Sequence, residues 1–115
     1  MADFEPGTLV RVPFPYTDRP VLQRRPALVL SSAEFNRRHG LLWVAMVTST
    51  GNASWDGDVV IPDFQAASLP APSLVRTAKL ATIQSGDATT LGHVDAETLD
   101  RIRQAVLRVL GGSRV

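Results

Sequence analysis

Short apolar runs that end at prolines, glycines or polar turns limit most strongly what this chain can fold into. The runs occupy residues 8–14, 26–31, 41–47, 57–62, 73–83 and 91–94. Runs of this length, rich in Val, Ile, Leu and Thr, are typical of β-strands. The run at 41–47 (LLWVAMV) is apolar throughout, so we expect a buried strand with Trp43 in the core. Pro13, Pro15 and Pro20 predict a stiff extended loop between the first two strands.

Helical patterns are found at two places. A short one covers residues 32–38 (SAEFNRR) and ends near Gly40. The longer one begins at Asp95, a good N-cap residue, and ends at Gly111. Within it, apolar residues recur at helical spacing: Leu99, Ile102, Val106 and Val109. Five or six short strands with a closing helix predict a mainly β protein with short helices (α+β). We expect a small, strongly curved antiparallel sheet or barrel in a single domain over residues 1–115.

The composition excludes several kinds of chemistry. With no cysteine among 115 residues, the chain has no disulfide, thiolate metal site or cysteine nucleophile. His39 and His93 have no partner at the spacing of a metal site, and Asp56-x-Asp58 fits a hydrophilic turn better than a cation site. We therefore expect no metal and no other cofactor. No segment is long and apolar enough to cross a bilayer, so we expect no membrane partner and a cytoplasmic location.

Positive charge is concentrated in one part of a nearly neutral chain. The formal net charge is +1, yet residues 19–38 hold five arginines and a single acid, Glu34. A locally basic face of this kind can bind a phosphate backbone, or it can be an ordinary solvated surface. Both interpretations stay open on charge alone.

Arginine and hydroxyl side chains are the remaining candidates for chemistry. Arg24 and Arg25 precede the second predicted strand, and residues 48–50 (TST) follow the third. If these strands are antiparallel neighbours, the start of one lies beside the end of the other. Arg25 and Thr48 would then share one rim of the sheet. Alternatively, the hydroxyl residues only form a turn and Arg25 only blocks a sheet edge.

Six segments, in order, resemble the PemK/MazF family, the toxins of bacterial type II toxin–antitoxin systems. They are PGTLVRVPFPYTD (6–18), RRPALVLSS (24–32), VTST (47–50), GDVVIP (57–62), SLVRTAKLATI (73–83) and DAETLDRIRQAVLRVLG (95–111). No single segment is decisive, but their order and spacing over nearly the whole chain are specific. The resemblance implies an SH3-like barrel, a symmetric homodimer and sequence-specific cleavage of single-stranded RNA without a metal ion.

The same resemblance implies roles for individual residues. The positions that it implies to be catalytic are Arg25, Thr48 and Arg76. From the side chains themselves, the candidates for RNA binding are Tyr16, Asp18, Arg24, Ser49, Thr50 and Trp55, with an exposed loop position as the alternative for Tyr16 and Asp18. The indole of Trp55 can stack on a base or, equally, cover a dimer edge. Two departures from the family pattern matter. Many relatives carry an acid where this chain has Ala78, and the histidine that some members use in the first loop is absent.

The implied reaction suits this small set of side chains. RNA supplies its own nucleophile, the 2′-hydroxyl, which is held next to the phosphorus. Its attack would give a 2′,3′-cyclic phosphate and a 5′-hydroxyl end. The guanidinium of Arg25 can stabilise the charge that develops on the phosphorane. Arginine is a poor base near neutral pH, so the general base stays unassigned.

The resemblance also implies partners for the chain. Besides single-stranded RNA and a second copy of itself, it implies a cognate antitoxin, a small acidic protein whose disordered tail would cover Arg25. Two alternatives stay open. One is a non-enzymatic toxin of the same fold that binds a protein target such as DNA gyrase. The other is a binding module that has lost catalysis, which the missing acid at Ala78 would allow.

Overall fold

The computed structural model describes residues 4–15 and 22–112. Within these ranges the strands and helices are β1 (Thr8–Pro15), β2 (Leu22–Val29), α1 (Ala33–His39), β3 (Leu41–Ser49), β4 (Asp58–Val60), β5 (Ser73–Gln84), β6 (Thr89–His93) and α2 (Ala96–Val109), with a 3₁₀ turn (Ser85–Asp87) between β5 and β6. Each apolar run predicted to be a strand is a strand, and both predicted helices are present.

The strands form one curved antiparallel sheet in the order β4-β5-β3-β2-β1-β6. Strand β1 also contacts β5, although β2 and β3 lie between them in the sheet. The sheet therefore curls upon itself like a barrel, but β4 and β6 remain its edges in the part of the chain that is described. Register shifts occur in the β1–β6 and β3–β5 pairings, and such bulges increase the local bend. The prediction of a small barrel-like sheet with a closing helix is confirmed.

Two apolar clusters pack on the two faces of the sheet. The first lies beneath α2 and includes Leu9 of β1 and Ile102 of α2, both fully buried. The second lies on the other face and includes Val10 and Val12. Neighbouring residues of β1 enter different clusters because side chains alternate along a strand. Each fully buried Leu or Ile contributes about 1.5–3 kcal/mol to stability, so the two clusters hold the strands rigidly.

Helix α1 connects the N-terminal segment to β3 through a buried polar cluster. The Asn36 side chain donates to the Phe4 carbonyl oxygen at 2.8 Å and accepts a hydrogen bond from the Ser31 hydroxyl. The Ser31 oxygen accepts in turn from the backbone N–H of Trp43 at 3.0 Å. Gly40 ends the helix with a φ of 65°, a left-handed conformation that glycine adopts without strain.

Two predictions about local structure are wrong. The second strand starts at Leu22, not at Pro26, because β2 pairs with β1 from Leu22 opposite Pro15 onward. Arg24 and Arg25 therefore lie within a strand and not in front of one. Trp43 is not in the core but is 52% exposed. Its ring contacts Phe35 edge-on and lies beside α2, which does not cover this part of the sheet.

Candidate functional site

The two adjacent arginines of β2 point to opposite faces of the sheet, as the pleat of a strand requires. Arg24 is exposed, and its guanidinium donates to the carbonyl oxygens of Arg11 at 3.2 Å and Asp87 at 3.3 Å. Arg25 is half-buried on the other face, where its Nη2 donates to the carbonyl oxygen of Val47 at 3.0 Å. The structure thus places Arg25 beside the end of β3 and separates it from Arg24.

Pro26 explains why a side chain reaches the Val47 carbonyl. Strands β2 and β3 pair from Val29 opposite Val44 to Ala27 opposite Met46. Continuing this register sets Pro26 opposite Val47, in step with the backbone bond from the Leu30 N–H to the Trp43 oxygen. Proline has no N–H to donate there. The Val47 oxygen accepts from Arg25 instead, which fixes the guanidinium at the end of β3.

Thr48 follows Val47 and is buried, with 7% of its surface exposed. Its hydroxyl oxygen accepts a hydrogen bond of 2.7 Å from the side-chain amide of Asn52. Because Asn52 occupies an acceptor site of this oxygen, the hydroxyl proton can be directed elsewhere, including toward an anionic ligand. Arg25, which binds the carbonyl oxygen of the preceding residue Val47, and Thr48 therefore lie at the same end of β3, as predicted.

The next two hydroxyl residues are placed differently. Ser49 is exposed, and its side-chain oxygen accepts from the backbone N–H of Gly51 at 3.1 Å. Thr50 is also exposed, and its N–H donates to the Pro72 carbonyl oxygen at 3.1 Å. These bonds form the turn that leads out of β3. Both side chains reach solvent next to Thr48, but they are not part of its buried contacts.

Arg76 is buried in β5 and engaged by two partners. Its guanidinium forms an ion pair with Asp58 of β4, in which Nε lies 3.2 Å and Nη2 3.0 Å from the two carboxylate oxygens. The same Nη2 donates to the carbonyl oxygen of Ala53 at 2.6 Å. The side chains of the pair are only 6% and 9% exposed. Arg76 therefore binds β5 to β4 and to the loop that precedes β4.

Asp58 is held in its ionised form by these contacts. Burial raises the pKa of its carboxyl, but the hydrogen bonds from Arg76 and the Trp55 N–H, with the positive charge of Arg76, outweigh burial and leave the pKa below its ordinary value. At neutral pH the carboxylate is therefore a weak proton acceptor. Its chemical use is to neutralise and orient Arg76.

Trp55 lies above this ion pair. Its ring centroid is 4.5 Å from the guanidinium carbon of Arg76 and 5.5 Å from the Nζ of Lys79. Cations over an indole ring are attracted by its π electrons. The side chain remains 43% exposed, so part of the ring faces solvent beside the ammonium group of Lys79.

The sheet brings the three predicted catalytic residues, Arg25, Thr48 and Arg76, to one face. Ala27 is paired with Met46, and Met46 with Arg76. Since Arg25 and Thr48 each lie two positions from a member of this row, they share its face. Tyr16 and Asp18 lie outside the described residues.

The sequence patterns do not identify two functional candidates, Asn52 and Asp58, which contact Thr48 and Arg76. The motif Asp56-x-Asp58 fits a hydrophilic turn. The signal for a role of Asp58 is its position at the start of a short strand that can pair with the strand of Arg76.

The described residues show no group for a metal and no membrane span. Within residues 4–15 and 22–112, no three His, Asp or Glu side chains cluster as metal ligands do. Neither α1 nor α2 has the length and apolar character needed to cross a bilayer.

Comparisons with known proteins agree on one family. Residues 5–110 match the family of PemK-like, MazF-like toxins of type II toxin–antitoxin systems. A chain of the MazE–MazF crystal structure (Form-II) from Deinococcus radiodurans is 26% identical, with 98% of this chain and 100% of that chain covered and a TM-score of 0.77. No curated protein matches the sequence significantly.

Two further solved structures share the fold. An endoribonuclease from a mycobacterial species is 21% identical, covering 100% of this chain and 98% of its own at a TM-score of 0.75. The Mycobacterium tuberculosis toxin MazF-mt6 is also 21% identical, covering 94% of this chain and 99% of its own at a TM-score of 0.70.

Proposed function

The chain belongs to the PemK-like, MazF-like toxins of type II toxin–antitoxin systems, and from this membership we propose that it is an endoribonuclease that cuts single-stranded RNA at specific sequences. One observation carries the proposal: the Arg25 guanidinium is fixed 3.0 Å from the Val47 carbonyl oxygen, beside the buried hydroxyl of Thr48. A half-buried cation next to a hydroxyl donor is suited to binding one phosphate group.

The proposed reaction is an internal phosphoryl transfer within the RNA. The 2′-oxygen attacks the adjacent phosphorus, so that a 2′-O–P bond forms while the bond from phosphorus to the 5′-oxygen breaks. The 2′-hydroxyl loses its proton, and the departing 5′-oxygen gains one. The products are a 2′,3′-cyclic phosphate and a 5′-hydroxyl end. Because nucleophile and phosphorus belong to one nucleotide, proximity supplies much of the acceleration.

Arg25 and Thr48 have separate roles in this proposal. The guanidinium of Arg25 stabilises the negative charge that accumulates on the phosphorane oxygens, which are best served by donors fixed in advance. Thr48, whose oxygen accepts from Asn52, turns its own proton toward the same oxygens. Arginine remains protonated near neutral pH, so Arg25 acts as a charge and not as the base. Proton removal from the 2′-hydroxyl is assigned to no side chain.

RNA flanking the cut is proposed to contact the surface around this pair. Ser49 and Thr50 are exposed next to Thr48 and can bind phosphate or base edges. Trp55 offers an aromatic surface on which a base can stack. Arg24, on the other face of β2, contributes only to the electrostatic attraction of a more distant phosphate. Tyr16 and Asp18 are proposed to contact bases.

The chain is also proposed to form a homodimer and to bind a cognate antitoxin. Solved relatives in this family include complexes of the toxin with its antitoxin. Exposed apolar side chains along β3, β5 and α2 support a second copy as one partner, since such patches commonly mark protein contacts. They include Trp43, Leu80, Leu107 and Leu110.

The proposal is tested by cleavage of a long single-stranded RNA in excess EDTA. Wild-type protein is compared with Arg25→Ala, and the ends of the fragments are mapped. We expect discrete cuts that bear 5′-hydroxyl and 2′,3′-cyclic phosphate ends, and no such cuts with Arg25→Ala. The aligned cut sites would also identify the recognition sequence.

Other outcomes would contradict the proposal in distinct ways. Intact RNA after incubation with wild-type protein would reject catalysis, and binding of DNA gyrase or of RNA without cleavage would then be measured. Equal cutting by wild type and Arg25→Ala would keep the activity but reject the site. Loss of cutting in EDTA, restored by a divalent cation, would reject the metal-independent reaction.

A further inference from the structure

The loop of residues 50–57, between β3 and β4, is fastened to β5 at several points. The Arg76 guanidinium donates to the Ala53 carbonyl oxygen at 2.6 Å, and the Thr77 hydroxyl donates to the Gly57 carbonyl oxygen at 2.8 Å. Gly57 has a φ of 87°, and a Cβ at this position would lie 2.8 Å from the Thr77 hydroxyl oxygen. Only glycine allows the loop backbone to approach Thr77 this closely. The hydrogen bond to Thr77 therefore fixes the end of the loop against β5.

Asp58, at the start of β4, forms two hydrogen bonds with Trp55. The backbone N–H of Trp55 donates to the Asp58 carboxylate at 2.8 Å, and the N–H of Asp58 donates back to the Trp55 carbonyl oxygen at 3.2 Å. The carboxylate that binds Trp55 is the same one that binds Arg76. One buried ion pair therefore determines where the backbone of Trp55 lies.

Arg76 also supports the ring of Trp55. Its guanidinium carbon lies 4.5 Å from the ring centroid, and Arg76 is only 5% exposed while Trp55 is 43% exposed. The indole thus rests on a buried, hydrogen-bonded cation and shows its remaining surface to solvent. Lys79, half-buried beside the ring, adds a second positive charge that a phosphate next to a stacked base can approach.

The same loop reaches the Arg25 and Thr48 pair. Asn52 belongs to it and donates to the Thr48 hydroxyl oxygen at 2.7 Å. The loop that carries Trp55 therefore lies next to Thr48, whose own position is set by β3.

We propose that Asp58 and Arg76 are positioning residues whose ion pair holds Trp55 as a preformed stacking platform for an RNA base. The inference rests on the proposed function, because it takes single-stranded RNA as the ligand. In it Arg76 does not contact the scissile phosphate, and its positive charge is already neutralised by Asp58. Many relatives carry a carboxylate two residues after this arginine, where the present chain has Ala78. In this chain Asp58, from the neighbouring strand β4, supplies a carboxylate to Arg76.

The fluorescence of Trp55 tests this inference directly. The chain has two tryptophans, so Trp43→Phe leaves Trp55 as the single reporter and keeps an aromatic ring at the position proposed for the dimer contact; its cleavage rate is compared with wild type. The probe is a random-sequence 20-nucleotide single-stranded RNA with 2′-O-methyl riboses, which cannot undergo 2′-attack. We expect saturable quenching of Trp55, because a stacked base is within contact of the ring. Stacking is worth about 1–3 kcal/mol per base, so Trp55→Ala should weaken binding of a fluorescein-labelled probe, followed by anisotropy, by roughly 5- to 150-fold, and Trp55→Phe should restore most of it.

Variants of the ion pair separate positioning from catalysis. Asp58→Asn in the Trp43→Phe background should lose most of the quenching and raise the KM for RNA cleavage several-fold with little change in kcat. Arg25→Ala should instead abolish cleavage and keep the quenching. If Asp58→Asn does not fold by circular dichroism, Thr77→Val, which removes only the bond to Gly57, takes its place in the same comparison.

The outcomes for the platform and for the proposed function can be told apart. Cleavage by wild type without any quenching at saturating probe would overturn the platform alone. Quenching of Trp55, together with probe binding that Trp55→Phe largely preserves, but without cleavage of unmodified RNA, would support the platform and reject the endoribonuclease. A fall in kcat at constant KM for Asp58→Asn would overturn the positioning role and return Arg76 to the catalytic residues.

Discussion

The two faces of strand β2 differ although each carries an arginine. Arg24 is exposed and its bonds, to the Arg11 and Asp87 carbonyl oxygens, are long at 3.2 and 3.3 Å. Arg25 is half-buried and donates over 3.0 Å to a carbonyl that Pro26 leaves open. Exposed polar contacts of this kind contribute little, whereas a donor in a partly buried site is fixed before a ligand arrives. The comparison teaches that the pleat of the strand, more than closeness in sequence, decides which arginine can act on a phosphate.

The face of Arg25 also carries the other polar groups of the site. Thr48 with Asn52, and Arg76 with Asp58, form satisfied pairs on or beside this face. Satisfied buried polar groups are rigid, because any movement leaves one of them without its hydrogen bond. The account therefore predicts that changes on this face reduce activity and that changes on the face of Arg24 do not.

The largest effect is expected for Arg25→Lys. Lysine keeps the charge but loses the planar fork that can bind two phosphate oxygens and the Val47 carbonyl together. We expect kcat to fall by about 100- to 1,000-fold, as for the loss of a donor to a developing oxyanion. Steady-state cleavage of a short RNA containing the recognised sequence measures this. Activity within about threefold of wild type would show that charge alone suffices at this position.

Breaking the ion pair of Asp58 should cost a comparable free energy, but in the stability of the fold and not in catalysis. Removing one partner of a buried pair typically costs about 3–5 kcal/mol, so Asp58→Asn should lower the free energy of unfolding by roughly 3 kcal/mol at pH 7. Urea denaturation of both proteins measures the difference. An unchanged midpoint would show that the pair does not hold the loop of residues 50–57.

The same pair predicts a dependence on pH. The pKa of Asp58 is lower in the folded chain than its ordinary value, so its contribution to stability is complete at neutral pH. It is lost as the pH falls into the acid range, first through the unfolded pKa and then through the lower folded pKa. The difference between wild type and Asp58→Asn should therefore shrink over this range. A difference that grows on acidification would contradict the direction of the pKa change.

A smaller effect is expected for Thr48→Val, which keeps the shape of the side chain and removes its hydroxyl. Hydrogen bonds to charged groups contribute about 1.5–3 kcal/mol, so kcat should fall roughly 10- to 100-fold. Thr48→Ser keeps the hydroxyl and serves as the matched control, with most of the activity retained. Equal activity of the valine and serine variants would exclude the hydroxyl from the reaction.

A still smaller loss of activity is expected for Pro26→Ala, and it should come without any loss of stability. Alanine supplies a backbone N–H that can donate to the Val47 oxygen and compete with Arg25. A hydrogen bond of this kind is worth about 0.5–1.5 kcal/mol, so activity should fall roughly two- to tenfold while stability is unchanged or increased. Paired measurements of kcat and of thermal unfolding check both signs. Reduced stability with full activity would contradict the role given to Pro26.

Much of the fold is predictable because its elements have local signals. The strands follow from short apolar runs, and α2 from its apolar spacing and its N-cap Asp95, which accepts from the Thr98 N–H at 2.8 Å. The start of β2 was missed because the segment LQRR has no apolar alternation and is made a strand only by pairing with β1. The exposure of Trp43 is not predictable, because an apolar run does not reveal how far a helix covers each face.

The candidate site is only partly predictable for a similar reason. The nearness of Arg25 to Thr48 follows from antiparallel neighbours, which the sequence suggests. The contacts of Arg76 do not follow, because its partners Asp58 and Ala53 come from another strand and a loop. Side-chain partners across strands depend on register, and bulges such as the one at Ala45 and Met46 change that register without a clear signal.

The most direct test of the account compares Arg24→Gln with Arg25→Gln on one RNA substrate. The two variants change neighbouring residues in the same way and remove the same charge, so only the face of β2 differs. We expect kcat/KM to fall no more than about fivefold for Arg24→Gln and at least about 100-fold for Arg25→Gln, a ratio of roughly 20 or more. Equal losses, or a larger loss for Arg24→Gln, would contradict the assignment of the site to the face of Arg25.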